Sequence, residues 1–450
     1  MKFVICLFAL VACVYASGQW QEISKNDVGA INAANFAAKS ISMRTNSPYH
    51  SKLVHVHKVE RQIVAGVNYK LKVTLGYTSC KKSEVEYDNI DKCDIQENSY
   101  KKCEIKVYRN LKGEHQVLHF ECVPDKKKSP SHVKNAHHDY AEELLFQDFI
   151  ARHNKAYKDD AEKQRRFKIF QTNLKKIKFL NDHERGTARY GITKFADWTD
   201  TEFKKHALGF RPDLLKPENV GKTAEIPQIS IPDSFDWRDK NVVSEVKDQG
   251  QCGSCWAFST TGNIEGQWAI KEKALISLSE QELVDCDKID EGCNGGLPSN
   301  AYKEIMRLGG LEREKDYPYE GENDKCEFVK SKAKVYINGS VTISQNETEM
   351  AQWLVKNGPI SIGINANAMQ FYYGGISHPW KFLCDPSNLD HGVLIVGYGV
   401  HTYPIFKKTL PFWIIKNSWG ASWGEQGYYR VYRGDGTCGL NMMATSAVVD

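Results

Sequence analysis

Gln249-Gly250-Gln251-Cys252-Gly253-Ser254-Cys255-Trp256-Ala257-Phe258 is the stretch that decides how this 450-residue chain is read. Two cysteines separated by two residues fit more than one chemistry. A redox pair belongs in a strand–helix–strand setting, and a structural zinc site needs two further ligands at similar spacing. Neither setting surrounds Cys252 and Cys255, and no metal or other cofactor is expected. The remaining cysteines sharpen the question. Met1-Lys2, the apolar run 3–14 and the small residues of Val14-Tyr15-Ala16 read as a signal peptide over 1–16, which would carry Cys6 and Cys13 away. Of the other eleven, Cys80, Cys93, Cys103 and Cys122 form an even group. Cys252, Cys255, Cys286, Cys293, Cys326, Cys384 and Cys438 form an odd one. In an oxidising compartment one thiol is therefore left over.

A thiolate nucleophile needs a partner that can return a proton to the leaving group. His391, in Leu389-Asp390-His391-Gly392-Val393, lies 136 residues after Cys255 and precedes the apolar run 393–396, which reads as a buried strand. His378 and His401 are nearby rivals. Asn417 follows in Trp413-Ile414-Ile415-Lys416-Asn417-Ser418-Trp419-Gly420. Together with C-G-S-C-W at 252–256, these segments resemble the papain family of cysteine proteases.

That resemblance implies several roles. Cys255 would be the nucleophile at the start of a long helix, where the helix dipole lowers a thiol pKa. His391 would be its base. Asn417 would orient the imidazole under the cover of Trp419, and Gln249 would join the Cys255 backbone N–H as oxyanion donors. The family pairing would be Cys252–Cys293, Cys286–Cys326 and Cys384–Cys438, one of fifteen that six cysteines allow. The segment Cys293-Asn294-Gly295-Gly296-Leu297-Pro298 would line the substrate cleft, because glycines let an extended peptide approach the backbone. The pocket for the residue two before the cut would be lined by Leu297, Pro298, Gly363, Leu389, Gly392 and Met443. All are apolar or bare backbone, which favours bulky apolar residues there and endopeptidase activity on peptides and proteins.

Upstream, Glu162, Arg166, Phe170, Asn173, Ile177 and Asn181 are spaced 4, 4, 3, 4, 4, which puts them within a stripe of about 100° on one helix. Their identities resemble the E-R-F-N-I-N pattern of cathepsin L-type propeptides (I29-type), and Gly191-Ile192-Thr193-Lys194-Phe195-Ala196-Asp197 resembles the second motif of that group. An inhibitory propeptide is expected over 139–230 and the peptidase domain over 231–450. Residues 17–123 carry an Ala-rich helical pattern over 26–43, then alternating runs at 52–57, 69–75, 104–108 and 116–120. This domain resembles the cystatin fold, with Cys80–Cys93 and Cys103–Cys122 as its bridges; a polar, lysine-rich linker over 124–138 follows. The expected fold class is thus α+β: a cystatin-like domain, a helical prosegment, and a two-lobed protease with a helical left lobe and a β-barrel-like right lobe.

The formal net charge is +4, but unevenly placed. Residues 231–450 hold 21 Lys+Arg against 28 Asp+Glu, and residues 18–230 hold 38 against 28. An acidic protease held by its own basic proregion is expected, with attraction assisting docking. No nucleic-acid partner and no membrane span are expected; a monomer that is lysosomal or secreted is. Asn338 and Asn346 stand in glycosylation sequons. The rival function is inhibition: Gln62-Ile63-Val64-Ala65-Gly66 fits the first contact hairpin of cystatin-type inhibitors of cysteine proteases. Asn110-Leu111-Lys112-Gly113 stands where their Pro-Trp hairpin would be.

Overall fold

The computed structural model describes residues 19–449 apart from positions 26, 46, 65, 111, 125–133 and 404–407. The chain divides into two compact units, Met1–Lys158 and Asp159–Asp450. The expected signal peptide and most of the expected linker lie outside the described residues.

In the first unit, β1 (Gln21–Ile23), α1 (Val28–Arg44), β2 (Tyr49–Val64), β3 (Gly66–Lys81), β4 (Ile95–Arg109) and β5 (His115–Pro124) form one helix on an antiparallel sheet whose strands follow sequence order. Asp27 starts the helix by accepting from the Ala30 N–H at 2.9 Å. Ala30, Ala33, Ala34, Ala37, Ala38 and Ile41 recur at helical spacing and are fully buried. Small side chains on this face let the helix lie close to Leu71, Val73, Leu75, Ile105 and Val107 of the sheet. Cys103 and Cys122 are opposed across β4 and β5 and bonded, and Cys80 is bonded to Cys93. Helix α2 (Lys134–Arg152) begins inside the stretch expected to be linker.

The second unit opens with α3 (Asp160–Asp182), β6 (Arg189–Tyr190), α4 (Asp200–Ala207) and β7 (Lys222–Thr223), all within the expected prosegment. After β8 (Phe235–Asp236) come α5 (Cys255–Glu272), α6 (Glu280–Cys286) and α7 (Pro298–Leu308), the helical lobe. The rest is β9 (Gly339–Thr342), α8 (Glu347–Asn357), β10 (Ile360–Ile364), β11 (Tyr372–Gly374), β12 (Ile376–Ser377), β13 (His391–Tyr403), β14 (Lys408–Lys416), β15 (Tyr428–Tyr432) and β16 (Ala444–Val448). Its sheet runs β12-β15-β14-β13-β10-β16-β9-β7, with β8 added on β13. The expected β-barrel-like lobe is thus a sheet that does not close. The terminal strands, β12 and β7, are two residues each and do not pair, so the sheet stays open. The expected prosegment extends the protease sheet through β7 on β9 and pairs β6 with β11.

Candidate active site

Cys255 is the first residue of α5, after Ser254 at the cap position. The preceding turn is pinned from two sides: Gly253 N–H donates to the Cys293 carbonyl at 3.0 Å, and Cys252 is bonded to Cys293. Two further bridges, Cys286–Cys326 and Cys384–Cys438, leave Cys255 as the free cysteine among the described residues. Its Sγ accepts from Gly392 N–H at 3.3 Å, and the side chain is wholly buried. Burial pushes the thiol up to about 12, against the pull of the Gly392 and Trp256 N–H groups. In this state desolvation outweighs the helix N-terminus, and Cys255 is a neutral thiol.

His391 opens β13 and is also wholly buried. Its Nε2 lies 2.7 Å from Asn417 Oδ1, an oxygen that also accepts from Ser418 N–H. An amide oxygen only accepts, so the neutral ring carries its hydrogen on Nε2 and presents Nδ1 as a lone pair. Nδ1 has no hydrogen-bond partner among the described residues. Burial pulls His391 down to about 4, only partly offset by Asn417. Trp419 stacks on the imidazole with centroids 4.6 Å apart. Gln249 is fully buried, and Ser418 Oγ donates to its Oε1 at 2.7 Å, which aims Nε2 outward. That amide N–H donates to Cys252 O and to Ala207 O at 3.1 Å. Ser418, the residue that sets the Gln249 amide, carries no sequence signal beyond its place beside Asn417.

Ala207 lies in the expected prosegment (139–230), and the chain after it fills the cleft. The Ala207 carbonyl also accepts from Trp419 Nε1 at 3.0 Å. Gly209 crosses Gly253 so closely that a Cβ there would meet the Gly253 oxygen at 1.9 Å; only glycine fits. Gly296 N–H donates to Gly209 O, and Arg211 N–H donates back to Gly296 O, a parallel bridge centred on Phe210. Phe210, 5% exposed, clusters with Cys255, Leu297, Leu389 and Met443, and its ring lies against Gly363. Pro298 lines the same recess, together with Ser361 and Thr445, hydroxyl residues outside the sequence expectation. Gly392 instead faces the Cys255 backbone, and Trp419 sits over His391 rather than in the recess. Gly295, at φ +115°, turns the chain into Gly296. The Leu208-Gly209-Phe210 run is the signal that sequence reading passed over.

The six-residue stripe on α3 explains how the prosegment holds its shape. Arg166 bonds Glu162, the Asp197 carbonyl and Glu202, joining α3 to α4. Asn173 donates to the Ala196 and Trp198 carbonyls, and Asn181 brackets Tyr190 of β6 with two bonds of 2.9 Å. Phe170 and Ile177 are buried beneath. Phe195 and Phe203 then meet Trp419 edge-on at 5.1 and 5.4 Å. Prosegment cations also face protease carboxylates: Lys194 with Asp248 at 2.8 Å, Arg211 with Glu291 at 2.9 Å and Arg185 with Asp435 at 3.8 Å. Among the sequon residues, Asn338 and Asn346 are both exposed, and Asn346 caps α8.

Comparison with known families matches residues 231–448 to papain family cysteine proteases, 146–203 to the cathepsin propeptide inhibitor domain (I29) and 18–112 to the cystatin domain. Cathepsin F of Drosophila melanogaster is 48% identical over 89% of this chain, and cathepsin F of Mus musculus 52% identical over 68%. The chain spans 65% of the length of each. Cysteine proteinase 15A of Pisum sativum is 45% identical, over 70% of this chain and 87% of that one. Among solved structures, digestive procathepsin L 3 of Tenebrio molitor larval midgut aligns with TM-score 0.60 and 34% identity, over 68% of this chain and 99% of its own. A recombinant stem bromelain precursor aligns with TM-score 0.61 and 31% identity, over 69% and 99%. With its fold, its buried thiol and imidazole, and relatives matched along most of their length, the chain belongs to the papain family of cysteine proteases.

Proposed function

We propose that this protein is the zymogen of a cysteine endopeptidase of the cathepsin F type, and that removal of the prosegment switches on a Cys255–His391 pair. One observation carries the reading: the prosegment occupies the cleft with its own backbone and puts Phe210 into the recess beside the thiol. A segment so placed blocks a substrate, and the seating of Phe210 supports a recess suited to a bulky apolar side chain. The substrate residue two before the cut is accordingly Phe-like or Leu-like.

Once the prosegment leaves, water reaches both groups and the desolvation that keeps them neutral is lifted. The Cys255 proton passes to His391 Nδ1, giving a thiolate at a helix N-terminus beside an imidazolium. The thiolate attacks the scissile carbonyl carbon. Gln249 Nε2–H and the Cys255 N–H take the developing oxyanion, the role the Ala207 carbonyl occupies on Gln249 in the zymogen. The imidazolium gives its proton to the leaving amine, and an acyl thioester remains. Water, deprotonated by the same Nδ1, then releases the acid and restores the thiol. Asn417 keeps Nε2 engaged throughout.

The prosegment is thus the protein's first partner, with peptide and protein substrates and cystatin-type inhibitors following it into the same cleft. A signal peptide over 1–16, glycans on Asn338 and Asn346, a lysosomal or secreted destination and a monomeric state complete the proposal. Among the described residues no helix is long and apolar enough to cross a membrane. The cystatin domain serves as a spacer in this reading. Its Gln62 is engaged by Asn68 within the hairpin, and its second contact hairpin lacks the Pro-Trp pair. Acid treatment followed by an epoxysuccinyl thiol reagent should modify Cys255 and abolish hydrolysis of Phe- or Leu-containing peptides. Hydrolysis that survives in Cys255→Ala would refute the assignment.

A further inference from the structure

A cavity of about 510 Å³ lies between prosegment helices α3 and α4 and the protease wall formed by 367–383, away from the cleft. That volume is in the range of small-molecule sites. Its lining is chemically sorted. Phe179 from the prosegment and Phe382 from the protease form an apolar rim and remain 45% and 68% exposed. Phe371 lies buried behind them. Lys175 and Lys204 contribute cations, and among the described residues neither has a carboxylate within ion-pairing distance; the lining carboxylate, Asp200, is engaged by Lys176. Gln370, also lining the cavity, is 4% exposed, and its buried Nε2 has no hydrogen-bond partner among the described residues. Exposed aromatics and two lysines line one recess, Lys204 also acting on the buried Asp390 carboxyl, and an unmet donor lies behind them.

We propose that this cavity binds a carboxylate-headed amphiphile of medium chain length. Its carboxylate lies between Lys175 and Lys204, one oxygen accepts from Gln370 Nε2–H, and its tail covers Phe179 and Phe382. Half of the site leaves with the prosegment, so the ligand binds the docked form alone. By linkage it holds the prosegment in place by RT ln(1 + [L]/Kd), about 2.7 kcal/mol at a hundred times Kd. The regulatory consequence rests on the zymogen reading above, whereas binding itself does not.

The test titrates sodium dodecanoate, below its micelle concentration, into the intact protein at pH 7 by calorimetry. A parallel assay follows digestion of the prosegment by an added protease. The expected result is saturable one-to-one binding, at least tenfold weaker for dodecanol and for Lys175→Gln/Lys204→Gln, with digestion slowed at least fivefold at saturation. The mature enzyme should bind no dodecanoate. Gln370→Leu should weaken binding while keeping the thermal stability of the unliganded protein. Equal affinity for dodecanol, equal affinity of the lysine variant, or undiminished binding to mature enzyme would overturn the proposal. Dodecanoate that binds as stated but leaves digestion unchanged would overturn the linkage to prosegment docking.

Discussion

Phe210→Ala tests the latch at the point where it enters the substrate recess. The ring is 5% exposed and touches Leu297, Leu389, Met443 and the bare face of Gly363. Truncating a buried Phe costs roughly 3–5 kcal/mol. The lower figure applies here because the recess opens to water once the prosegment lifts. About 3 kcal/mol is roughly 10²-fold in the population of the open form. The backbone bonds of Gly209 and Arg211 to Gly296 are untouched, and the protease sequence is unchanged, so the effect reports the ring. At pH 7 the rate at which an epoxysuccinyl reagent modifies Cys255 in the intact zymogen tracks that population. Phe210→Ala should raise the rate about 10²-fold, while Val220→Ala, at a prosegment side chain already 47% exposed, should leave it unchanged. A Phe210→Ala rate within threefold of the parent would mean that the recess contributes little to latency, and the specificity argument would fall with it.

Met443→Glu places a carboxylate in the recess and should raise the Arg-to-Leu ratio of kcat/KM for the residue two before the cut; an unchanged ratio would show that the recess is not that pocket. Acid should loosen the prosegment from within. Bonds from Arg165 and Arg166 hold Glu162 down to about 2, and Glu202, although burial works against it, is held below its usual range by Thr199 and Arg166. Both carboxylates are depressed, so the stability they give is present above about pH 4.5 and lost as pH falls through their folded values. Loosening through these two carboxylates should therefore set in only below about pH 4.5 and grow as pH falls toward about 2, and Glu202→Gln should shift its onset upward. Salt at neutral pH should speed Cys255 labelling by screening the Lys194, Arg211 and Arg185 pairs; rates flat in pH and salt would exclude this latch. In the protease itself, burial pushes Glu282 from 4.5 up to about 8, beside Glu312. A raised carboxyl stabilises below the unfolded value and loses that contribution as pH rises toward 8, at most about 5 kcal/mol. Thermal stability of the mature enzyme should therefore fall from pH 5 to 8, and Glu282→Gln should flatten the fall; parallel curves would remove Glu282 as the cause.

The sequence exposed those features that depend on local identity or period. The spacing on α3 predicts the face that meets Ala196 and Tyr190, because it follows from 3.6 residues per turn. The pocket residues Leu297, Leu389 and Met443 come together around one ring although they lie far apart in sequence. Other features depend on long-range geometry and left no local trace. That Phe210 is the occupant follows from Gly209 passing over Gly253, a contact between distant segments. The open sheet follows from the shortness of β12 and β7, which a count of apolar runs does not reveal. The neutral state of Cys255 and His391 depends on who covers them. The motif names the residues, and the prosegment sets their charge. Because the proton passes from Cys255 to His391 when the cleft opens, the pair gains none from solvent. The pair therefore adds no pH dependence of its own.

The central claim is that one buried thiol changes its protonation when the prosegment leaves, and the pH profile of Cys255 alkylation measures it directly. A small neutral haloacetamide should be used on the zymogen and on the mature enzyme, with the modified peptide mapped in each. The mature enzyme should react fast, with a rate that levels off well below the ~8.5 of a free cysteine. The zymogen should react slowly, with a rate still rising at the highest pH at which it stays folded, as a thiol pushed up to about 12 requires. Superimposable profiles, or modification mapped elsewhere than Cys255, would contradict the account.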